Sequence, residues 1–433
     1  MIAAIAMIAV ACSGGADSVG DAGPSAGRVV TPRATGIERT LPAGPSALDD
    51  MTHPALPVPL LDPSEIISGG PPPDGIPSID SPEFIPIAAA DTWLADEEPV
   101  VYLEIDGDVH AYPVQVLLWH EIVNDTVGGV PVAVTYCPLC NSAVSYARVI
   151  DGIEITFGTS GRLYASALVM YDRATESLWT HFDGRAVAGT LTGRELKPLS
   201  SPLLAWSSFK EAFPEGLVLD RAATGFAFPY GENPYVGYDN PESTPFLFRG
   251  TLDTRARAKE RVIGVAHGDA ASAWTLDAIS GGEANATNTA VGDEPVVILW
   301  LPGQVTALET RRLISGRDVG SVGVFRSTVD GSRLVFEASG DRFVDSESGT
   351  EWDITGTAIA GPLAGARLER IHHLDTFWFA WSTYRPGTDL VGETSRLVPS
   401  PSSPSASDDG ASEGPPSTPQ HFGRPPPGWM SSS

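Results

Sequence analysis

Lysine is nearly missing from this 433-residue chain: it occurs only at Lys197, Lys210 and Lys259, and 27 Lys plus Arg face 54 Asp plus Glu. A formal net charge of −27 repels phosphate, so nucleic acid is not an expected partner. Cysteine is as scarce, with three residues, Cys12, Cys137 and Cys140. That number excludes a disulfide-dense scaffold and a closed four-cysteine zinc site within one chain. Long apolar runs are absent after the first eleven residues; none approaches the roughly 20 residues a membrane-spanning helix needs. Long amphipathic helical periods are absent too, which argues against a doubly wound α/β sheet.

The two ends differ from the middle. Residues 1–11, MIAAIAMIAVA, are apolar and end in small residues before Cys12. This resembles a bacterial lipoprotein signal, although Ala9 stands where leucine is usual and no basic residue precedes the run. The expectation is a signal over 1–12, a lipid on Cys12, the membrane as partner and an extracytoplasmic location. Residues 13–55 are rich in Gly, Ser, Ala, Pro and Asp and read as a tether; residues 397–433, dominated by Pro and Ser, read as a tail.

Between these ends, strand signals dominate. PVVYLEI, VPVAVTY, YASALVMY, EPVVILW and RLVFEAS are short, β-branched or aromatic, and bounded by Gly, Asp or Pro. Helical stretches are few and short, the best being VQVLLWHEIVND over 114–125. The fold class expected is mainly β or α+β. An internal repeat organises it. AVAGTLTGREL (186–196) matches AIAGPLAGARL (358–368) at six of eleven positions, and PVAVTYCPLCNSA (131–143) lines up with PVVILWLPGQVTA (295–307). Trp179 and Trp206 answer Trp352 and Trp381, which marks them as core aromatics. Two tandem β-rich repeats, 56–255 and 256–396, are therefore expected to pack as one compact unit. In this alignment Cys137 meets Leu301, Cys140 meets Gln304 and His120 meets Ala284. The fold does not need these three side chains twice, which points to a functional site in the first repeat.

The segments HEIVND (120–125), TYCPLCNSA (135–143), FGTSGRLYASALVMYDRATESLW (157–179) and FWFAW (377–381) resemble the bacterial and archaeal family catalogued as domain of unknown function 3179. The resemblance covers about 90–396 and implies no established activity. His181 departs from the pattern, which has glutamine there.

The Cys-Pro-Leu-Cys motif carries several readings. Two residues between cysteines suit a redox dithiol, with Cys137 attacking and Cys140 resolving. They equally suit two thiolate ligands which, with His120, would bind copper or zinc, softness favouring Cu(I). His110 and His181 are further donors. An oxidising envelope could instead close a structural disulfide in a non-catalytic ligand-binding or assembly module. The residues after the motif, NSAVSYARVI, alternate like a strand, so no helix N-terminus is expected to activate a thiolate.

Other candidates are weighed beside them. Glu121 would orient His120 or serve a hydrolase, as would Asp172. Phe157–Arg162 reads as a strand-to-strand turn or as a small loop in which Arg162 meets an anion. Asp172 and Arg173 read as an ion pair fixing a turn, and Asn124 and Asp125 as turn residues. His372 and His373, adjacent on an expected strand, point to opposite faces and read as structural. Ser142 and Ser160 lack a nucleophile-elbow context.

Overall fold

The computed structural model describes residues 44–392, all within one compact unit of short strands and a few short helices. The signal and Cys12, most of the tether and the tail lie outside the described residues. The fold begins earlier than the sequence suggests. Ala47, Leu48 and Met51 are buried against Val169, Tyr171, Leu178 and Val187, so the last part of the expected tether is core. A Gly/Ser/Pro-rich composition hid three apolar anchors. Among the described residues no helix is long and apolar enough to cross a membrane.

In the first half, three sheets form from β-branched runs whose alternate residues face the interior. One holds Leu203–Ala205, Pro99–Ile105, Asp108–Pro113, Leu217–Leu219 and Phe84–Pro86 in that order. A second orders Lys197–Leu199, Ser142–Ala147, Val130–Cys137 and Ile122–Val127. A third runs Ile66–Ser68, Phe157–Tyr164, Ala167–Asp172, Leu178–Thr180 and Ala186–Ala188. A closely similar order is met again among residues 261–391. His373–Phe377, Arg261–His267, Ala270–Thr275 and Asp389–Val391 form one sheet. Asn285–Val291, Glu294–Leu301 and Ser321–Arg326 form another, and Phe336–Ser339 through Ala358–Ala360 a third.

Local details recur with that order. A register shift falls at Leu178/Trp179 and at Glu351/Trp352. The Trp179 indole donates to Asp172 at 3.0 Å and the Trp352 indole to Asp345 at 2.9 Å. Asn124 fastens the backbone of Phe157, and Asn288 that of Phe336, each through two hydrogen bonds of 2.8 and 2.9 Å. Trp179, Trp206, Trp352 and Trp378 are fully buried and Trp381 nearly so.

Helix Val114–His120 is buried along its whole length, as an apolar run without a polar face requires. It stops five residues before the end of the expected segment. Glu121 leaves the helix at φ 58°, and Ile122–Val127 pairs with Val130–Cys137 because β-branched residues gain more there. Asn124 and Asp125 thus lie in a strand rather than a turn. Residues 220–260 carry no helix or strand, an unusually long irregular stretch inside a compact unit.

Candidate metal centre

The Val130–Cys137 and Ser142–Ala147 strands form a hairpin, and Cys137 pairs with Ser142 across it. Pro138, Leu139, Cys140 and Asn141 make the loop, with Asn141 at φ 49°, a conformation its short polar side chain tolerates. The loop is held from outside. The Cys140 carbonyl accepts from the Thr376 hydroxyl at 2.7 Å and the Phe377 amide at 3.1 Å. Asn141 accepts from the Tyr136 hydroxyl at 3.0 Å and donates to Asp375 at 3.5 Å. Asp375 is gripped in turn by the Arg261 guanidinium at 2.5 and 2.6 Å. The strand His373–Phe377, from the second half of the chain, thereby fixes the cysteine loop of the first.

The third member of the cluster arrives from the strand Leu178–Thr180. His181 follows it directly; its amide donates to Leu168 O at 3.1 Å and its carbonyl accepts from the Tyr146 hydroxyl at 2.9 Å. One sulfur or nitrogen from each of Cys137, Cys140 and His181 lies within 4.8 Å of the other two. All three residues are at most 1 % exposed. Both thiols are free, so no disulfide clips the loop. The Cys137 sulfur accepts from the Leu168 amide at 3.4 Å, and the Cys140 sulfur meets the Ser142 hydroxyl at 2.9 Å. Neither ring nitrogen of His181 has a hydrogen-bond partner. An unpartnered buried polar atom costs about 1–3 kcal/mol, and one donor atom from each of the three residues is close enough to the others that they could hold a single metal ion. Burial drives the Cys137 thiol well above its ordinary range, with the neighbouring Cys140 adding to the shift. Burial also lowers the His181 imidazole, against the opposing charge of Cys137.

His120 is not in this cluster, and the expected Cys137–Cys140–His120 set is corrected to Cys137–Cys140–His181. Residue 120 would fall opposite Cys137 if the strand register were extended. The backbone there is still helical, however, and the ring turns elsewhere. Its Nδ1 meets Pro77 O at 2.7 Å and its Nε2 the Tyr230 hydroxyl at 2.7 Å, among Phe226 and Phe228. Burial lowers it to about 4. Glu121 does not orient His120. Burial raises its carboxyl group well above the ordinary range, and the Tyr235 hydroxyl reaches it only at 3.5 Å.

The remaining candidates have structural tasks. Asp172 accepts from the amide and hydroxyl of Thr175, the Ser177 amide and the Trp179 indole, so it locks a turn rather than facing a substrate. Arg173 pairs not with Asp172 but with Asp74 at 3.0 Å and Asp80 at 2.8 Å. The Phe157–Arg162 segment is a bulged strand, not a turn, and Arg162 donates to Leu48 O at 2.7 Å instead of meeting an anion. Gly161 is required there: at φ 70°, an added Cβ would sit 1.9 Å from Pro71 O. His110 lies between Asp125 at 2.8 Å and Asp108 at 3.3 Å. His373 meets Ile371 O at 3.0 Å. The signal for His181 was its departure from the family pattern; the signal for the aromatic surroundings of His120 was FAFPYGENPYVGY, dense in aromatics within a Gly/Pro-rich stretch.

The family model described as "Protein of unknown function (DUF3179)" matches residues 73–388. The chain belongs to this family. No curated protein and no solved structure matches it. The DUF3179 match spans both cysteines, His181 and the clamping strand His373–Phe377, so the whole candidate centre lies inside the family's domain.

Proposed function

We propose that this DUF3179 protein binds one thiophilic metal ion, copper or zinc, through Cys137, Cys140 and His181. The observation that carries the reading is the buried imidazole with two unpartnered nitrogens beside two free thiols. Two sulfurs and one nitrogen are a donor set of the right softness for either metal. Thiol–disulfide exchange is less well supported. An attacking cysteine needs a depressed pKa and access, whereas Cys137 is buried with its thiol pushed up, and a strand rather than a helix follows the motif.

We further infer that the two halves descend from one ancestral unit and that the second has lost its donors. Trp179 over Trp352 sets His181 against Ile354, and the hairpins set Cys137 against Leu301 and Cys140 against Gln304. The second half now serves as the clamp on the first. Metal analysis of protein purified under reducing conditions should give one copper or zinc per chain, and Cys137→Ser should lose it. A wild-type protein without stoichiometric metal would sink the reading.

An extracytoplasmic, lipid-tethered placement through Cys12 is also proposed, on the apolar leader and the small residues before that cysteine. Cells fed labelled palmitate should label the wild type and not Cys12→Ser; an unlabelled wild type contradicts the tether.

A further inference from the structure

We infer that the centre is an open, zinc-type site whose fourth coordination position takes an exchangeable small ligand between Glu121 and Tyr384. This rests on the metal reading above and adds the metal's charge, its coordination and the class of ligand.

Charge comes first. Two buried thiolates bring two negative charges, and the nearby basic groups are committed elsewhere. Lys259 is bound to Tyr238 O and the Ser243 hydroxyl at 2.7 and 2.8 Å, and Arg261 is held by Asp375. A dication balances two thiolates in a low-dielectric site, where a monocation leaves one charge uncompensated. Coordination comes next. Among the described residues, only three His, Cys, Asp or Glu donors fall within the 4.8 Å group. Structural zinc sites close with four protein ligands, whereas three leave a position for solvent or substrate.

Two polar side chains beside that group have unused capacity. The Tyr384 hydroxyl oxygen is buried and has no hydrogen-bond partner. Its ring stacks at 4.6 Å on Phe182, the residue after His181. Glu121 is buried, and the Tyr235 hydroxyl reaches it only at 3.5 Å. The Tyr384 hydroxyl and the Glu121 carboxyl group can each hydrogen-bond a small molecule or anion, with water as the resident form.

The test uses the full chain loaded with Co2+ and titrated with azide while the visible ligand-field bands are followed. The expected result is a saturable spectral change at one cobalt per chain. Tyr384→Phe and Glu121→Gln should each change the azide dissociation constant by about fivefold, the worth of one hydrogen bond, while the thiolate-to-cobalt band persists. Bands indifferent to azide in cobalt-replete wild type would overturn the open site and leave the metal reading standing. Unchanged azide affinity in both variants would overturn the placement of Glu121 and Tyr384. Failure to take up cobalt would overturn the zinc-type site, and failure to bind copper as well would overturn the metal reading. The wild type alone decides openness, so a misfolded variant does not shelter the proposal.

Discussion

His181 reaches the two sulfurs through its backbone, by hydrogen bonds to Leu168 and Tyr146, and no local motif announces it. His120 had the better motif, beside an acid in HEIVND, and ended in an aromatic enclosure. At this scale burial sets the chemistry. Burial lowers the imidazoles of His120 and His372 from 6.5 to about 4. Both stay neutral in the fold while the unfolded chain takes up their protons below 6.5. Each therefore withdraws stability as pH falls from about 6.5 to about 4. Glu98 acts in the opposite sense. Burial raises its carboxyl from 4.5 to about 7, so the fold holds a proton that the unfolded chain releases. Its contribution is full below 4.5 and is lost as pH rises through about 7. NMR of the imidazole rings should find His120 still neutral at about pH 5.5, a full unit below an ordinary histidine. A midpoint near 6.5 would contradict its buried hydrogen-bonded place.

At the scale of elements, the site is a hairpin of the first half gripped by a strand of the second. One gripping group that can be removed by substitution is the Thr376 hydroxyl on Cys140 O. Thr376→Val keeps the shape and removes that hydrogen bond. It should weaken metal binding by roughly 10-fold or more, as loss of outer-shell partners does, with one ion still bound at saturation. Competition with a chromogenic chelator measures this, and unchanged affinity would contradict the clamp. The hairpin itself was legible: VPVAVTY and NSAVSYA alternate, and both became strands. The helix over 114–125 was overextended because IVND carries no stop signal, and pairing with VPVAVTY decided the boundary. Arg173 was assigned to Asp172 by adjacency, yet its partners Asp74 and Asp80 come from about a hundred residues earlier, a relation no local pattern contains.

For the whole molecule, the comparison of two similar segments made the cysteines stand out, because Leu301 and Gln304 align with them in sequence. The same comparison passed over His181, since it weighed the motif and stopped short of the Trp179/Trp352 turn. The strong acidity remains a surface property that no site described here requires. The proposed function hangs on Cys137, Cys140 and His181 holding one ion together. X-ray absorption at the metal edge of the purified full-length protein tests this most directly. The account predicts two sulfur scatterers near 2.3 Å and one imidazole nitrogen near 2.0–2.1 Å, with the imidazole signal lost in His181→Ala and kept in His120→Asn. A metal without sulfur neighbours, or one whose imidazole vanishes with His120 instead, would contradict it.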